Sequence, residues 1–262
     1  MSRTFQLFGQ GISYSLSPAI HGAALTHLGL PHRYGITEAT AETLPDLVSR
    51  IRGSGGGANV TVPFKADAAR LCDDLSSEAL ALGVVNTIVD DGGILVGHNT
   101  DLPAVAAEID ALRPDGVQHA VVLGNGGASQ AVQRALQGRA FTVTVAQRRD
   151  GTLQKVHEIL PSADLLVNTT PIGTGAEDTP VDPAHLHSGL AVLDLVYRPT
   201  PTALVRAAAQ TGAPAAAGGG MLVGQAWRSL ALWLAADGVE VTAEIEPVME
   251  AALLRELERD NA

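Results

Sequence analysis

The sequence is poor in cysteine, in basic residues and in long apolar runs. Cys72 is the only cysteine among 262 residues, which excludes an internal disulfide and a cysteine-cluster metal site. No apolar run approaches the 18 residues of a membrane span, so we expect no membrane partner. Lys and Arg number 17 against 28 Asp and Glu, and the net charge of −11 disfavours nucleic acid as a partner.

Other absences narrow the class of protein further. The first residues show no apolar segment typical of a signal peptide, which leads us to expect a cytoplasmic protein. The eight histidines are scattered, and His185-Leu186-His187 has no third ligand at suitable spacing, so we expect no metal. Apolar residues make up 46% and charged residues 17%, a balance that excludes a disordered chain.

Short apolar runs alternate with helical patterns along most of the chain. This alternation predicts an α/β fold with a mostly parallel sheet. The residues Asp90-Asp91-Gly92-Gly93 predict a hairpin turn between two strands, which would add an antiparallel edge to that sheet. In the first half we predict strands over 5–8, 33–37, 58–62, 86–89 and 94–96, and helices over 18–28 and 44–51.

The pattern restarts near residue 115, after a polar turn at Leu112-Arg113-Pro114-Asp115-Gly116. We therefore predict two domains. Residues 1–101 form the first, completed by C-terminal helices over about 236–262. Residues 102–235 form the second. Long helices are predicted over 221–235 and 243–259.

A glycine-rich turn follows the strand at 119–123 and precedes a helix. Gly124 suits the tight turn and Gly126 allows close approach of a pyrophosphate, with small Ser129 at the third position of the fingerprint. An ordinary strand-to-helix turn is the alternative, but the flanking strand and helix favour dinucleotide binding.

The next predicted strand, 141–145, ends at Gln147-Arg148-Arg149-Asp150. Two guanidinium groups suit a ribose 2′-phosphate and favour NADP. Asp150 could instead bind a ribose hydroxyl and admit NAD, and a solvated basic turn is the third interpretation.

Polar side chains also cluster at four strand ends or turns of the first half. They are Ser13 to Ser17, Asn59 to Lys65, Asn86-Thr87 and Asn99-Thr100-Asp101. Each could be local turn chemistry, and Ser17 could be a helix N-cap before Pro18. Together they predict a small site for hydroxyl groups, with one Lys and one Asp available for proton transfer.

These motifs, in this order, resemble the shikimate dehydrogenase family. The resemblance includes Ser15-Leu16-Ser17-Pro18 with His21, Asn59-Val60-Thr61-Val62-Pro63-Phe64-Lys65, Val85-Asn86-Thr87 and Asn99-Thr100-Asp101. It continues through Gly124 to Ala128, Asn168 to Gly173, Asp194 to Pro199 and Met221 to Gln225. It implies a substrate domain and a Rossmann-like domain, and NADP-linked interconversion of 3-dehydroshikimate and shikimate in aromatic amino-acid biosynthesis.

The resemblance also implies roles for individual residues. Lys65 and Asp101 would be the catalytic acid–base pair, with Lys65 as the direct acid or base. The substrate-binding residues would be Ser15, Ser17, Asn59, Thr61, Asn86, Tyr197 and Gln225. The cofactor-binding residues would be Gly124, Asn125, Gly126, Gly127, Ala128, Gln147, Arg148, Arg149, Asn168, Thr169, Thr170, Leu195, Gly218 and Met221. Met221 could equally be core packing.

Three features depart from the family pattern. Leu102, Pro103 and Ala104 follow Asp101, where glycines are usual. Gln147-Arg148-Arg149-Asp150 is similar to the quinate/shikimate branch, whose members can accept NAD. Only 19 residues separate Arg148 from Asn168, enough for one short helix and no further strand.

Two alternatives to shikimate dehydrogenase therefore stay open. One is a quinate/shikimate or aminoshikimate dehydrogenase that uses NAD or NADP. The other is a noncatalytic metabolite-binding or nucleotide-binding protein on the same scaffold. Monomer and homodimer are both compatible with the sequence.

Overall fold

The computed structural model describes residues 2–260, which form two compact α/β units. The first unit comprises residues up to Asp101 together with Val223–Glu258, and the second contains Leu102–Leu222. The chain thus returns to the first unit at Val223, inside a helix, whereas the sequence led us to expect the return near residue 236. Residues 261–262, which our predicted C-terminal segment included, lie outside the described residues.

The first unit is built around a six-stranded sheet with the order β2-β1-β3-β5-β6-β4. Its strands are β1 Thr4–Gly9, β2 Arg33–Glu38, β3 Gly57–Val60, β4 Asp74–Leu75, β5 Thr87–Asp91 and β6 Ile94–His98. Its helices before residue 101 are α1 Ser17–His27, α2 Leu44–Ser49, α3 Lys65–Leu71 and α4 Ser77–Leu82. A buried apolar cluster that includes Phe8, Val60 and Ile88 fills the space between the sheet and α2 and α3.

The predicted hairpin exists, but it does not lie at the sheet edge. β5 pairs antiparallel with both β3 and β6, and β6 pairs parallel with the two-residue strand β4. The expectation of an antiparallel edge is therefore wrong. Strand β4 covers the outer side of the hairpin, and two residues are too few to show a strand pattern in the sequence.

The second unit has a five-stranded sheet that is parallel throughout, with the order β11-β10-β9-β7-β8. Its strands are β7 Val117–Leu123, β8 Ala140–Ala146, β9 Leu165–Asn168, β10 Ala191–Asp194 and β11 Ala215–Ala217. Helices α5 Asp101–Leu112, α6 Gly127–Leu136, α7 Val156–Ile159, α8 Ala203–Gln210 and α9 Gly219–Leu234 alternate with them, and α10 Glu246–Asp260 ends the described chain.

Apolar clusters cover both faces of this second sheet, which explains the continuous apolar runs of its central strands. One cluster joins Val121 and Leu123 to α8, and the other joins Ala120 and Val122 to α5 and α6. Between β8 and β9 the chain forms α7 with short 3₁₀ turns on either side and no strand. This agrees with the shortened segment that we predicted after Arg148.

No helix within residues 2–260 combines the length and apolar character that a membrane crossing requires. The same residues contain no group of three or more His, Cys, Asp or Glu side chains that could hold a metal ion.

Candidate active site

Four polar segments of the first unit meet at one edge of its sheet. β1, β3 and β6 run in the same direction, so their carboxyl ends lie together, and β5 runs oppositely, so its amino end joins them. The register places Asn59 beside Thr87 and Thr87 beside His98. The segments that hold Ser15, Lys65, Asn86 and Asp101 therefore start from neighbouring strand ends, where open α/β sheets bind ligands.

Lys65 and Asp101 form a direct ion pair at this edge. Lys65 is the first residue of α3 and Asp101 the first of α5, and Lys65 Nζ donates a hydrogen bond to Asp101 Oδ2 at 2.6 Å. Their side chains are 18% and 9% exposed, so the pair is largely shielded from solvent while the lysine side chain keeps some exposure. A lysine held by one carboxylate is oriented and still able to exchange a proton with a further oxygen.

Ser15 and Ser17 lie in the loop between β1 and α1 and at the start of that helix. Ser15 Oγ donates to Ser17 Oγ at 3.2 Å, and Ser17 is buried. The helix begins at Ser17, its N-cap is Leu16, and no side chain caps it, so the N-cap interpretation of Ser17 is wrong. Thr61 directly follows β3 and is half-buried. Three hydroxyl groups thus belong to the same strand-end region as Lys65.

Asn59 and Asn86 belong to a buried hydrogen-bond network beneath this edge. Asn59 Nδ2 lies 3.0 Å from Asn86 O and 3.0 Å from Ser229 Oγ, and Asn59 Oδ1 accepts from Tyr34 OH at 2.8 Å. Asn86 Oδ1 accepts from Thr100 N at 2.8 Å, and Asn86 Nδ2 donates to Thr100 Oγ1 at 2.9 Å. Because its partners are all internal, Asn59 is suited to positioning; a direct contact with substrate stays a prediction.

No pattern in the sequence indicates the role of Ser229 or Tyr34 in this network. Ser229 is fully buried in α9, one turn after Gln225, and its Oγ lies within 3.1 Å of Thr87 Oγ1 and Thr100 Oγ1. The two threonines lie in motifs that we singled out, whereas a serine inside an apolar helix has no distinguishing pattern. Ser229 also donates to Gln225 O at 3.0 Å. The network thereby fixes the helical turn that carries Gln225.

The second unit gathers the predicted cofactor residues at the carboxyl ends of its strands. The register aligns Leu123 with both Ala146 and Asn168, and Asn168 with Asp194. Strands β7, β8, β9 and β10 therefore end side by side, and the loops that follow them begin at the same edge of the sheet. From β7 the chain continues to β8 on one side of the sheet and then crosses to β9 and β10 on the other side. Dinucleotide-binding folds place their ligand at the carboxyl ends of the two strands between which the order reverses, here β7 and β9.

The two key glycines of the turn meet different requirements. Gly124 has φ of +101°, and a Cβ there would lie 2.7 Å from Thr169 Oγ1, so only glycine fits. A Cβ on Gly126 would have nothing within 4 Å, which leaves open space beside the first residue of α6, Gly127. Ser129 is fully buried and donates to Gly124 O at 2.8 Å, which fixes the turn. Asn125 and Ala128 complete this segment.

An open pocket of about 320 Å³ lies beside this turn. Its lining residues are Gly124, Asn125, Ala146, Gln147, Arg148, Arg149, Leu153, Thr170, Pro171 and Ile172. The two exposed guanidinium groups and the glycine turn fit the phosphates and adenosine of NADP. No carboxylate belongs to this lining.

Asp150 is held away from such a role by its own hydrogen bonds. Asp150 Oδ1 accepts from Thr152 Oγ1 at 2.6 Å and from Thr152 N at 3.0 Å, and Oδ2 accepts from Gln147 Nε2 at 2.7 Å. These hydrogen bonds lower the pKa of the Asp150 carboxyl, so the carboxylate stays ionised and both of its oxygens already accept hydrogen bonds from within the turn. This arrangement favours the 2′-phosphate of NADP over the ribose hydroxyl of NAD.

Side chains at and just after the carboxyl ends of β9 and β10 form hydrogen bonds with one another and with β7. Asn168 Nδ2 donates to Asp194 Oδ1 at 2.8 Å, Thr169 Oγ1 donates to Leu123 O at 2.6 Å, and Thr170 Oγ1 donates to Asn168 Oδ1 at 2.7 Å. A Cβ on Gly218 would lie 2.2 Å from Leu195 O, so glycine is required there. Leu195 and Met221 pack against an apolar cluster, and their contact with a nicotinamide stays a prediction.

The predicted substrate residues are divided between the units. Ser15, Ser17, Asn59, Thr61, Asn86 and Gln225 belong to the first unit, together with Lys65 and Asp101, whereas Tyr197 belongs to the second. All fourteen predicted cofactor residues belong to the second unit. A lysine–aspartate ion pair among hydroxyl and amide groups in one unit, and a parallel sheet with the glycine turn of dinucleotide-binding folds in the other, define a two-unit nucleotide-binding protein of the α/β class.

Comparison with known proteins identifies the family. The family model for the shikimate dehydrogenase substrate-binding domain matches residues 7–88. A protein named shikimate dehydrogenase (NADP+) from Natronomonas pharaonis is 37% identical, and the alignment covers 94% of this chain and 97% of that protein. The chain therefore belongs to the shikimate dehydrogenase family.

Solved structures agree with this assignment. Shikimate 5-dehydrogenase from Thermus thermophilus, determined with NADP(H) and shikimate, has a TM-score of 0.86 and 33% identity, covering 97% of this chain and 99% of that chain. Quinate dehydrogenase from Corynebacterium glutamicum, determined with NAD, has the same TM-score of 0.86 at 28% identity and covers 97% of this chain and 99% of that chain.

Proposed function

We propose that this protein is an NADP-dependent shikimate dehydrogenase that reversibly reduces 3-dehydroshikimate to shikimate, a step in aromatic amino-acid biosynthesis. The observation that carries the proposal is the Lys65–Asp101 ion pair of 2.6 Å, which lies at the strand-end edge that also holds Ser15, Ser17 and Thr61. A binding protein without catalysis has no need of such a pair. Membership of the family supports the same activity.

The residues of this chain would divide the reaction between them. Bound NADPH supplies a hydride to the carbonyl carbon of the substrate. In the direction of reduction, Lys65 Nζ gives a proton to the carbonyl oxygen, which becomes the new hydroxyl; in oxidation it receives that proton. Asp101 holds Nζ in place and balances its charge. The hydroxyl groups of Ser15, Ser17 and Thr61, with the amides of Asn86 and Gln225, would bind the hydroxyl and carboxylate groups of the substrate.

The first test is the turnover of purified protein with shikimate or quinate and with NADP or NAD, in all four pairings. We expect the largest kcat/KM with shikimate and NADP, because Asp150 is occupied while Arg148 and Arg149 line the cofactor pocket. A larger kcat/KM with quinate, an aminated analogue or NAD would replace the proposal by the corresponding dehydrogenase. Binding of shikimate without any turnover would favour the noncatalytic alternative.

Removal of the lysine tests the catalytic assignment. Lys65→Ala should lower kcat by about 10²–10⁴-fold, the usual contribution of a positioned acid or base, with a smaller effect on shikimate binding. Lys155, the only other lysine, is exposed, and Lys155→Ala is the matched control that should keep parental kcat. Parental kcat in Lys65→Ala would contradict its role as the proton donor.

The proposal extends to partners and location. With a net charge of −11, we propose small molecules rather than nucleic acid as partners. We also propose a cytoplasmic enzyme, where its single thiol would stay reduced. Electrophoretic binding assays with DNA and RNA, and fractionation of the source cells, test these two points.

A further inference from the structure

Tyr34 reaches from the outer strand of the first sheet to the strand that carries Asn59. It lies on β2, which pairs with β1, and β1 pairs in turn with β3. The register pairs Tyr34 with Phe5. It pairs Asn59 with Leu7, two residues further along β1, so the side chains of Tyr34 and Asn59 project from the same face of the sheet. The phenol crosses β1 on that face, and Tyr34 OH donates to Asn59 Oδ1 at 2.8 Å.

Helix α1 packs on this face and brings Ser17 to the same hydroxyl. His21 of α1 stacks on the Tyr34 ring, with 4.1 Å between the ring centroids and 5° between the planes. Ser17 lies one helical turn before His21, on the same face of α1. The Ser17 side chain is a hydrogen-bond partner of the phenol oxygen, and Ser15 Oγ donates to Ser17 Oγ at 3.2 Å. The phenol therefore connects both serines to Asn59.

The proton that Tyr34 donates is firmly held. Burial raises the pKa of the Tyr34 phenol, and the hydrogen bond with Ser17 offsets part of that rise. The ring is fixed as well, because His21 stacks on it and the Trp233 ring lies 6.1 Å away between centroids. The phenol is therefore a hydrogen-bond donor of fixed position that keeps its proton at neutral pH.

Asn59 extends this connection to the rest of the predicted substrate site. Asn59 Nδ2 lies 3.0 Å from Asn86 O and 3.0 Å from Ser229 Oγ, and Ser229 Oγ donates to Gln225 O. Tyr34 OH is the donor that the structure describes for Asn59 Oδ1 within residues 2–260. Without that hydroxyl, Oδ1 would be a buried acceptor with no described donor, and the orientation of the amide would no longer be fixed from that side.

We propose that Tyr34 is a positioning residue of the substrate site. Its hydroxyl holds Ser17 on one side and Asn59 on the other, and so sets the spacing of the groups that bind the hydroxyl and carboxylate groups of the substrate. The inference rests on the proposed function, because shikimate is the ligand that those groups would bind. Tyr34 forms no described hydrogen bond with Lys65 or Asp101, so its hydroxyl should matter more for substrate binding than for the chemical step.

Tyr34→Phe tests this role because it removes the hydroxyl and keeps the ring. We expect both the KM for shikimate and its Kd, measured without cofactor, to rise about 3–10-fold, the size of one hydrogen bond, while kcat changes less than about twofold. The Kd for NADP should keep its parental value, since the predicted cofactor residues belong to the second unit. An unchanged Kd for NADP also shows that the variant folds.

Thr37→Val is the matched control, because it removes a hydroxyl from the same strand on the opposite face of the sheet. Thr37 Oγ1 donates to Gln6 Oε1 at 2.9 Å and does not contact the network of Asn59. This variant should keep the parental KM and Kd for shikimate. An equal rise in both variants would overturn the inference, and so would parental values in Tyr34→Phe. A parental protein that neither binds nor turns over shikimate would contradict the proposed function, and the inference would fail with it.

A double-mutant cycle separates positioning from a general effect on the fold. Ser17→Ala removes the hydroxyl through which Tyr34 would act on the substrate. If Tyr34 positions Ser17, the variant with both substitutions should bind shikimate about as weakly as Ser17→Ala alone, because residues in one network are not additive. A Kd that rises by the product of the two single effects would show independent roles and overturn the inference.

Discussion

Arg148 and Asp150 are separated by one residue, yet their surroundings give them opposite relations to the cofactor pocket. Arg148 lines the pocket with an exposed guanidinium, whereas both Asp150 oxygens accept hydrogen bonds from Gln147 and Thr152. From the sequence alone, the arginine indicated NADP and the aspartate indicated NAD. Only the local turn shows that the aspartate is already occupied.

The preference for NADP should depend on Arg148. Arg148→Gln should raise the KM for NADP by about 10–100-fold, the range expected for loss of a charged hydrogen bond, and change the KM for NAD little. Arg134→Gln, which removes another exposed positive charge, from α6, is the control. Equal changes in the two KM values after Arg148→Gln would contradict recognition of the 2′-phosphate.

His21 is a buried residue that should make the stability pH-dependent. It is fully buried, it stacks on Tyr34 with 4.1 Å between ring centroids, and neither of its ring nitrogens has a described partner. Burial lowers the pKa of His21 from 6.5 to about 3. The unfolded chain therefore binds a proton below pH 6.5 that the folded protein does not, and stability is lost as the pH falls from 6.5 towards 3.

A phenylalanine at this position should remove that dependence while keeping the ring contact. Between pH 7 and pH 5, the free energy of unfolding of His21→Phe should gain about 2 kcal/mol relative to the parental protein, at about 1.4 kcal/mol per pH unit below 6.5. Urea unfolding at both pH values provides the measurement. If the difference between the two proteins is the same at pH 7 and pH 5, His21 is not the titrating group.

Chemistry-bearing residues at strand ends were predictable, and the residues that position them were not. Lys65 and Asp101 carry groups suited to proton transfer and lie beside turn residues, so their position at a sheet edge follows from parallel strand order. Ser229 is a small polar residue within an apolar helix, and it reaches Asn59 across 170 residues. Such contacts depend on tertiary packing, which leaves no local pattern.

At the scale of single elements, long and periodic segments were predictable and very short ones were not. The helix predicted over 221–235 is observed as Gly219–Leu234, and the turn at Asp90 to Gly93 joins β5 and β6 as expected. Strand β4 has two residues and β11 has three, and each is defined by the strand beside it. The absence of β4 from the prediction led to the wrong edge for the first sheet.

Two Gly→Ala substitutions should have opposite effects on stability because the two elements pack differently. In β3, a Cβ on Gly57 would lie 2.2 Å from Trp233 Nε1, which donates to Ile88 O. Gly57→Ala should therefore lower the free energy of unfolding by about 1–3 kcal/mol or more. In α1, a Cβ on Gly22 would meet nothing within 4 Å, and Gly22→Ala should raise it by about 0.5–1 kcal/mol.

Urea unfolding of both variants is the measurement. Trp233 fluorescence should also change in Gly57→Ala, because its indole must move. A Gly57→Ala protein as stable as Gly22→Ala would contradict the close packing of β3 against Trp233.

For the whole molecule, alternation of strands and helices was enough to predict two α/β units, but not where the chain returns to the first. Helix α9 belongs to the second unit up to Leu222 and to the first from Val223. Its amino-terminal part carries Met221 and its later part carries Gln225 and Ser229, so one continuous apolar pattern serves two cores. Periodicity identifies such a helix without showing which core each turn joins.

The distribution of site residues between the units predicts which amides each ligand protects from hydrogen exchange. A ligand that binds the native state alone stabilises the segments it contacts, by about 2.7 kcal/mol at a concentration 100 times its Kd. NADP alone should slow exchange chiefly in 124–136 and 146–153, because the glycine turn and Arg148 lie there. Shikimate alone should act chiefly on 59–65 and 225–229, which contain Lys65 and the turn of Gln225.

The measurement is hydrogen exchange followed by mass spectrometry. Lys65→Ala provides the internal control, because it should weaken the shikimate pattern and leave the NADP pattern unchanged. Protection of 124–136 by shikimate alone, without effect on 59–65, would contradict the assignment of the substrate residues to the first unit.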